Sequence, residues 1–298
     1  METIHYTHCP VCRSHRITNI FPVKDYTVSG RQFTIAGCGQ CTLRFTQDVP
    51  TQDHIGAYYK SEDYISHTNT SKGLINGLYQ KVRAVTMKQK AATVKQYTGL
   101  QKGSLLDVGC GTGSFLHTMR VQGWQVTGLE PDAGAREMAQ QLYGLAVRPS
   151  HEIFELSAGT YNAITLWHVL EHVHQLHEYV AQLKQLLTQN GKLFIAVPNY
   201  TSRDAQTYGT YWAAYDVPRH LYHFSPQSMN VLLQQHGLKV VQHLPMWFDS
   251  FYVSLLSSKY KTGSVKYASA ALHGLASNLG ALGNVTACSS VIYVIENQ

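Results

Sequence analysis

Apolar and polar residues along positions 101–298 follow two alternating patterns. Short runs rich in Val, Ile, Leu and Phe are followed by stretches in which apolar residues recur at helical spacing, as at Val180, Leu183 and Leu187. This alternation predicts parallel strands connected by helices that cover both faces of one sheet. Seven runs have the composition of strands: Leu105–Val108, Gly123–Glu130, Leu145–Arg148, Tyr161–Trp167, Lys192–Pro198, Leu238–His243 and Ser289–Ile295.

The predicted fold class is α/β, a doubly wound, mostly parallel, Rossmann-like sheet of seven strands. It would occupy residues 101–298, with an apolar helical insertion over 246–284. Residues 1–50 predict a small β-rich domain. Residues 51–100 predict a connector, in which a tyrosine-rich loop containing Tyr58, Tyr59, Tyr64 and His67 precedes a helix over 74–97.

Two turn signals predict local structure. Ser29-Gly30 separates Tyr26–Val28 from Gln32–Ala36, which predicts a β-hairpin in the N-terminal domain. Asn190-Gly191 predicts the end of a helix over 173–188, because these residue types tolerate the left-handed conformation that caps a helix.

Three glycines interrupt the pattern directly after the first strand of the sheet. The sequence Asp107-Val-Gly109-Cys-Gly111-Thr-Gly113 leads from this strand into an amphipathic helix. Glycine lets the backbone adopt positive φ and approach a ligand closely, and the first N–H groups of the helix have no partner within it. The segment therefore predicts a loop that binds a nucleotide-like ligand at the carboxyl end of the strand.

Two carboxylates narrow the choice of ligand. Glu130 ends the strand predicted to lie beside the glycine strand, where a carboxylate can accept hydrogen bonds from both ribose hydroxyls. That position fits NAD as well as S-adenosylmethionine. Asp107, before the first glycine, repels phosphate and suits a positively charged ligand. The sulfonium and amino groups of S-adenosylmethionine meet this condition, so this molecule is the predicted cofactor.

Four of the six cysteines form two C-x-x-C pairs, Cys9 with Cys12 and Cys38 with Cys41. In a chain without an export signal, such pairs indicate a tetrahedral zinc site rather than disulfides. Four thiolates fill the coordination sphere, so the predicted zinc is structural. A β-rich domain this small would need its metal to fold.

Composition excludes several classes of protein. Only 14% of the residues are charged, the net charge is +6, and the basic residues are scattered along the chain. The sequence lacks a stripe of basic residues, so nucleic-acid binding is not predicted. The sequence has no apolar run long enough to span a membrane and no signal peptide, so a cytoplasmic protein is expected.

The motifs D-V-G-C-G-T-G-S-F, G-L-E-P-D, W-H-V-L-E-H-V and G-K-L-F-I-A-V-P-N closely resemble those of class I S-adenosylmethionine-dependent methyltransferases, in particular the branch related to ubiquinone-biosynthesis O-methyltransferases. The two cysteine pairs, the tyrosines after them and the segment Asp216–Pro226 resemble bacterial members with an N-terminal zinc ribbon. The resemblance also implies that the last strand is antiparallel and lies at the far side of the sheet.

The residues it implies for the cofactor are Asp107, Gly109, Gly111 and Gly113 in the loop, Glu130 on the ribose, and Trp167 and His168 along the methionine or methyl side. Many relatives hold the adenine amine with an acid after the third strand, which Arg148–His151 does not supply.

The segment His168-Val-Leu-Glu171-His172 permits several interpretations. H-x-x-E-H matches an inverted zinc-protease signature, but His168 ends a strand and the Glu-His pair opens a helix, so a protease is not expected. Some ubiquinone-type relatives use the equivalent Glu-His pair near a divalent ion. The alternative is that Glu171 faces a helix dipole while His172 is packed.

The segment after the fifth strand contains the predicted catalytic residues. In this architecture it passes over the ligand crevice, and His220 and His223 are predicted as bases, with Arg219 as a possible anion-binding group. The predicted activity is methyl transfer by in-line displacement to a small-molecule or carrier-bound acceptor, at a hydroxyl. A sugar C- or N-methyltransferase and a non-catalytic S-adenosylmethionine-binding or zinc interaction module remain alternatives. The oligomeric state stays open.

Overall fold

The fold is given by a computed structural model that describes residues 2–59 and 74–298, without the side chains of 74–81. Tyr64 and His67 of the predicted tyrosine-rich loop lie outside the described residues. The strands are β1 (Thr3–Ile4), β2 (Ile17–Lys24), β3 (Gln32–Cys38), β4 (Arg44–Thr46), β5 (Val49–Pro50), β6 (Ser104–Val108), β7 (Gln125–Leu129), β8 (Tyr161–Trp167), β9 (Leu187–Pro198), β10 (Tyr222–His223), β11 (Leu238–Pro245) and β12 (Ser290–Asn297). The α-helices are α1 (Gln52–Ile55), α2 (Leu74–Thr98), α3 (Ser114–Val121), α4 (Ala133–Tyr143), α5 (Leu176–Leu186), α6 (Arg203–Tyr208), α7 (Pro226–Gln235), α8 (Asp249–Thr262) and α9 (Tyr267–Ala281).

The central sheet has six strands in the order β11-β12-β9-β8-β6-β7. The pairs formed by β6 with β7, β6 with β8, and β8 with β9 are parallel. β12 is antiparallel to both of its neighbours and lies one strand in from the edge, between β9 and β11. The prediction of a mostly parallel α/β sheet is therefore confirmed.

The third of the seven predicted strands, Leu145–Arg148, is reduced to a single parallel bridge between Leu129 and Arg148. Two backbone hydrogen bonds flank this bridge, from Arg148 N to the Gly128 carbonyl and from Glu130 N to the Arg148 carbonyl. Pro149 follows and has no N–H with which to continue the ladder. This prediction of a full strand was wrong.

The end of helix α5 also differs from the prediction. The helix stops at Leu186, and β9 begins at the next residue, so Asn190-Gly191 lies within the strand instead of capping the helix. A Cβ on Gly191 would lie 2.9 Å from the Tyr161 carbonyl oxygen. This glycine therefore serves close packing of neighbouring strands.

The N-terminal hairpin is formed by β2 and β3, so the strand predicted at Tyr26–Val28 was placed too late. Those residues form the turn. The Asp25 carboxylate accepts hydrogen bonds from the backbone N–H groups of Thr27 and Ser29, at 3.0 and 2.8 Å. Such local bonds favour a turn over a strand.

The N-terminal hairpin shares its sheet with the segment that follows β9. The order of this second sheet is β10-β4-β3-β2, and β10 pairs antiparallel with β4. The Thr46 hydroxyl donates to the His220 carbonyl at 2.7 Å, and the hydroxyls of Thr42 and Ser225 are 2.6 Å apart. The cysteine-bearing hairpin thus supports the predicted catalytic segment directly.

Helices α8 and α9 pack as a pair in the predicted insertion. The buried carboxylate of Asp204 accepts hydrogen bonds from Trp212 Nε1, Ser277 Oγ and Ser289 Oγ, at 2.8, 2.8 and 2.7 Å. This carboxylate joins α9 to the segment after β9 and to the start of β12. None of the described helices has the length and apolar composition of a membrane span.

Candidate active site

The loop after β6 contains three glycines with different roles. All three have positive φ, of 67° at Gly109, 54° at Gly111 and 77° at Gly113. A Cβ would lie 2.4 Å from Val169 Cγ2 at Gly109 and 2.9 Å from a methyl carbon of Leu145 at Gly113, whereas a Cβ at Gly111 would meet no atom within 4 Å. The outer glycines are required for packing, and the middle one faces open space that a ligand can fill.

Glu130 lies at the end of β7, directly beside this open position. Its carboxylate accepts hydrogen bonds from Gly111 N, at 2.8 Å to Oε2, and from Asp132 N, at 3.0 Å to Oε1. Burial raises the pKa of Glu130 above its ordinary value. The two N–H groups fix the carboxylate at the edge of the loop, where it retains acceptor capacity for two more hydrogen bonds.

Asp107 is buried within the sheet at the end of β6. Thr165 Oγ1 on β8 donates to Asp107 Oδ1 at 2.6 Å. Burial raises the pKa of Asp107 to about 7, although Thr165 and the charge of Lys90 oppose the shift. The carboxyl group is therefore close to half-ionised near neutral pH.

Lys90 on α2 is a site residue that the sequence analysis missed. Its Nζ lies 4.3 Å from the centre of the Trp167 ring, and its charge interacts with the carboxylates of Asp107 and Asp249. Burial lowers the pKa of Lys90. Trp167 also packs edge-on against Phe115, and its buried Nε1 has no hydrogen-bond acceptor among the described residues. Only the approach of α2 to the ends of β6 and β8 brings Lys90 here, which the helical pattern alone does not reveal.

His168 directly follows β8, with a positive φ of 60°. Its Nε2 lies 2.8 Å from Asp249 Oδ2, and its Nδ1 lies 3.3 Å from Glu171 Oε1. Although burial opposes the shift, these two carboxylates raise the pKa of His168 to about 10. The ring is therefore an imidazolium at neutral pH, hydrogen-bonded to Asp249 and in charge contact with Glu171. Asp249, the first residue of α8, is a second site residue that the sequence analysis missed.

Glu171, His172 and His220 form a cluster in which one potential ligand atom from each lies within 4.8 Å of the others. Glu171 and His172 belong to a three-residue 3₁₀ turn, Leu170–His172, that precedes α5, so Glu171 does not open the helix as predicted. Burial lowers the pKa of His172 to about 4, and the charge of His220 acts in the same direction.

His223, the other predicted base, and Arg219, the predicted anion-binding group, have buried polar partners. His223 lies on β10, where its Nε2 is 3.1 Å from Thr46 Oγ1, and burial lowers its pKa well below the ordinary value. Arg219 donates to the Asp216 carboxylate and, at 2.9 Å, to the Tyr58 carbonyl. These contacts hold the predicted catalytic segment against the N-terminal part of the chain.

The four predicted zinc ligands come together. The sulfur atoms of Cys9 and Cys41 are 3.5 Å apart, as are those of Cys12 and Cys38, and all four lie within 4.8 Å of one another. Zinc–sulfur bonds of about 2.3 Å in a tetrahedron require separations of about 3.8 Å, so the thiols fit a Zn²⁺ ion. Burial opposes ionisation of Cys38, but backbone N–H groups of Cys41 and Gln40 lower its pKa overall.

The predicted cofactor residues lie along the carboxyl ends of β6, β7 and β8. Ligands of parallel α/β sheets bind at this edge. A family model for the methyltransferase domain matches residues 81–243, which is more than half of the chain. The chain therefore belongs to this methyltransferase-domain family and has the fold and motifs of its class I members.

Individual relatives agree with this assignment. The ubiquinone biosynthesis O-methyltransferase of Photobacterium profundum is 33% identical over 117 residues, which cover 37% of this chain and 48% of the relative. The Rickettsia prowazekii protein of that name is 26% identical over 170 residues, covering 54% and 67%. The chain spans roughly half to two thirds of the length of these curated relatives.

Solved structures share the fold. The Burkholderia thailandensis 1,6-didemethyltoxoflavin-N1-methyltransferase, solved with S-adenosylhomocysteine, has a TM-score of 0.50 and 15% identity, with 92% of this chain and 99% of that chain covered. A geranyl diphosphate methyltransferase solved with S-adenosylmethionine has a TM-score of 0.53 and 15% identity, covering 79% and 95%.

Proposed function

We propose that this protein transfers a methyl group from S-adenosylmethionine to a hydroxyl oxygen of a small-molecule or carrier-bound acceptor. The observation that carries the proposal is the open position at Gly111 beside the anchored carboxylate of Glu130. A carboxylate held in this way can accept both hydroxyls of a ribose. When bound, the cofactor supplies an electrophilic methyl group for in-line attack by the acceptor.

The remaining cofactor residues would hold the amino-acid end. Asp107 offers a carboxylate to the positively charged groups of the cofactor. Lys90 offers an ammonium group to its carboxylate, and Trp167 and His168 line the methyl side. These assignments follow from the charges of the side chains and their positions at one edge of the sheet.

Acceptor chemistry is assigned to the neighbouring cluster that contains His220. A hydroxyl must lose its proton during methyl transfer, and the imidazoles of His172 and His220 lie beside the buried Glu171. His223 would act as the other predicted base or position the segment through Thr46. The names of the curated relatives, which are O-methyltransferases, support oxygen as the acceptor atom.

Transfer of radiolabelled methyl groups tests this function. The purified chain is incubated with labelled S-adenosylmethionine and panels of phenolic, alcoholic, amine and carbon acceptors, and S-adenosylhomocysteine formation is measured. Transfer to hydroxyl compounds is expected. Transfer only to nitrogen or carbon would support the sugar C- or N-methyltransferase alternative, and cofactor binding without consumption would support a non-catalytic module.

A further inference from the structure

Helix α9 carries a row of exposed leucines. Leu272, Leu275 and Leu279 keep 67%, 48% and 57% of their surface exposed, and Leu282, directly after the helix, keeps 69%. The other exposed residues of α9 are alanine, glycine and tyrosine, and the helix has no Asp, Glu, Lys or Arg. A surface helix ordinarily exposes charged and polar side chains. A contiguous apolar face of this kind marks an interaction surface, whereas single exposed leucines are normal.

The opposite face of α9 is buried and fixed, so the leucines cannot turn inward. It consists of small residues, Ala270, Gly274, Ser277 and Ala281. The Ser277 hydroxyl donates to the Asp204 carboxylate at 2.8 Å. A Cβ on Gly274 would lie 2.7 Å from Phe251 Cδ1, so α8 packs too closely to admit a leucine on this face. The small residues therefore dock the helix on its own chain and leave the leucines for a partner.

The spacing of the exposed apolar residues is that of a seam between two helices. Successive members of the seam are separated by alternating steps of four and three residues: Ala268, Leu272, Leu275, Leu279 and Leu282. This period of about 3.5 residues is the one with which two α-helices pack along each other. A lipid surface imposes no such period, and helices that lie on membranes carry Lys or Arg on their polar face, which α9 lacks. The pattern therefore favours a second helix as the partner.

We propose that α9 is a self-association surface, at which two copies of this chain pair antiparallel about a two-fold axis at Leu275. A two-fold axis makes one surface its own partner. Leu275 is the midpoint of the seam and would contact its own copy. Leu272 would then lie near Leu279, and the small Ala268 near the larger Leu282. Because α9 carries no charge, the pairing brings no like charges of this helix together.

The exposed apolar area is sufficient for such a pair. A leucine exposed by half to two thirds presents on the order of 100 Å², so the seam together with Tyr267 presents roughly 500 Å². Two copies would bury about 1,000 Å² in total, which is the lower end for a specific interface. The dimer is therefore expected to be reversible, with a dissociation constant of about 10–100 µM. This inference does not rest on the proposed methyl transfer.

Analytical ultracentrifugation of the zinc-loaded full chain tests the surface. Wild-type protein should show a monomer–dimer equilibrium between about 1 and 200 µM. Leu275→Lys and Leu275→Glu should each weaken association at least about tenfold, because each sets two like charges face to face. An equal mixture of the two variants should recover the dimer, since the opposed charges then attract. The matched control is Leu142→Lys, because Leu142 on α4 is exposed by 58% but lies outside the seam.

Wild-type protein that stays monomeric at about 200 µM would overturn the proposal. Equal association of Leu275→Lys and Leu142→Lys, or a mixture of the two Leu275 variants that does not associate, would also overturn it. Vesicles of phosphatidylethanolamine and phosphatidylglycerol are tested in parallel. Monomers that bind these vesicles, with binding lost in Leu275→Glu, would assign the face to lipid instead.

Thermal unfolding and S-adenosylhomocysteine binding show whether each variant is folded. If the Leu275 variants fail to fold, two double variants decide the question. Leu272→Lys with Leu279→Glu should associate, because opposite charges then meet across the seam, whereas Leu272→Lys with Leu279→Lys should not. Equal association of these two double variants would contradict the antiparallel pairing.

Discussion

The backbone N–H of Gly111 donates a 2.8 Å hydrogen bond to Oε2 of Glu130 and so joins the glycine loop to the end of the neighbouring strand. This bond places an anchored carboxylate beside backbone that no side chain covers. Both parts of the predicted cofactor site therefore depend on the parallel pairing of β6 with β7.

Substitution of Gly111 by Ala should weaken binding of S-adenosylmethionine at least about tenfold, because the new methyl group enters the open position. Gly144→Ala is the matched control, since Gly144 also has positive φ, 60°, and open space around its Cβ but lies at the end of α4. Each variant should lose roughly 1–2 kcal/mol of stability from left-handed strain. Equal cofactor affinity in the two variants, measured by calorimetry, would remove Gly111 from the site.

The ratio of affinities for S-adenosylmethionine and S-adenosylhomocysteine should rise between pH 6 and pH 8. Asp107, with a pKa raised from 3.8 to about 7, is mainly neutral at the lower pH and ionised at the higher one. Both ligands carry the ammonium group, but only S-adenosylmethionine also carries the sulfonium charge, so it gains more from ionised Asp107. One pKa unit corresponds to about 1.4 kcal/mol. Calorimetry of both ligands should show a several-fold change in the wild type. A ratio independent of pH, or one that changes equally in Asp107→Asn, would contradict this role.

Substitution of Lys90 by Met should weaken both ligands by about tenfold, or 1.4 kcal/mol, because both carry the carboxylate that Lys90 would bind. Lys88→Met is the control, since Lys88 lies on the same helix but is exposed. Equilibrium dialysis with labelled ligands measures the effect. If Lys90→Met binds both ligands like Lys88→Met, Lys90 does not contact the cofactor.

Substitution of Cys38 by Ser should lower the zinc content and the melting temperature, because three thiolates hold the ion less tightly and the hairpin supports the predicted catalytic segment. Elemental analysis and thermal unfolding measure the two effects. Cys110→Ser is the control for zinc content, since Cys110 lies in the glycine loop. Full zinc content in Cys38→Ser would contradict a four-cysteine site.

Local sequence patterns predicted much of the fold and of the cofactor loop. The strand, glycine turn and helix around Gly111 depend on neighbouring residues, so periodicity and glycine spacing were enough to place them. The third strand was overestimated because Leu145–Arg148 has strand composition, but Pro149 ends its pairing. The composition of a short segment does not show how many backbone hydrogen bonds it can form with a neighbouring strand.

The contacts that complete the candidate site are long-range. Lys90 on α2 and Asp249 on α8 reach Trp167 and His168 only through packing of distant helices on the sheet. Neither residue belongs to a motif. The pairing of β10 with β4 likewise joins segments far apart in sequence, which propensity cannot predict.

A crystal structure of the chain with S-adenosylhomocysteine tests the central claim most directly. The ribose hydroxyls should bond the Glu130 carboxylate, the adenosyl group should lie over Gly111, and the sulfur should face Trp167 and His168. Electron density for the ligand elsewhere, or no density at concentrations that saturate known methyltransferases, would contradict the assignment of this site.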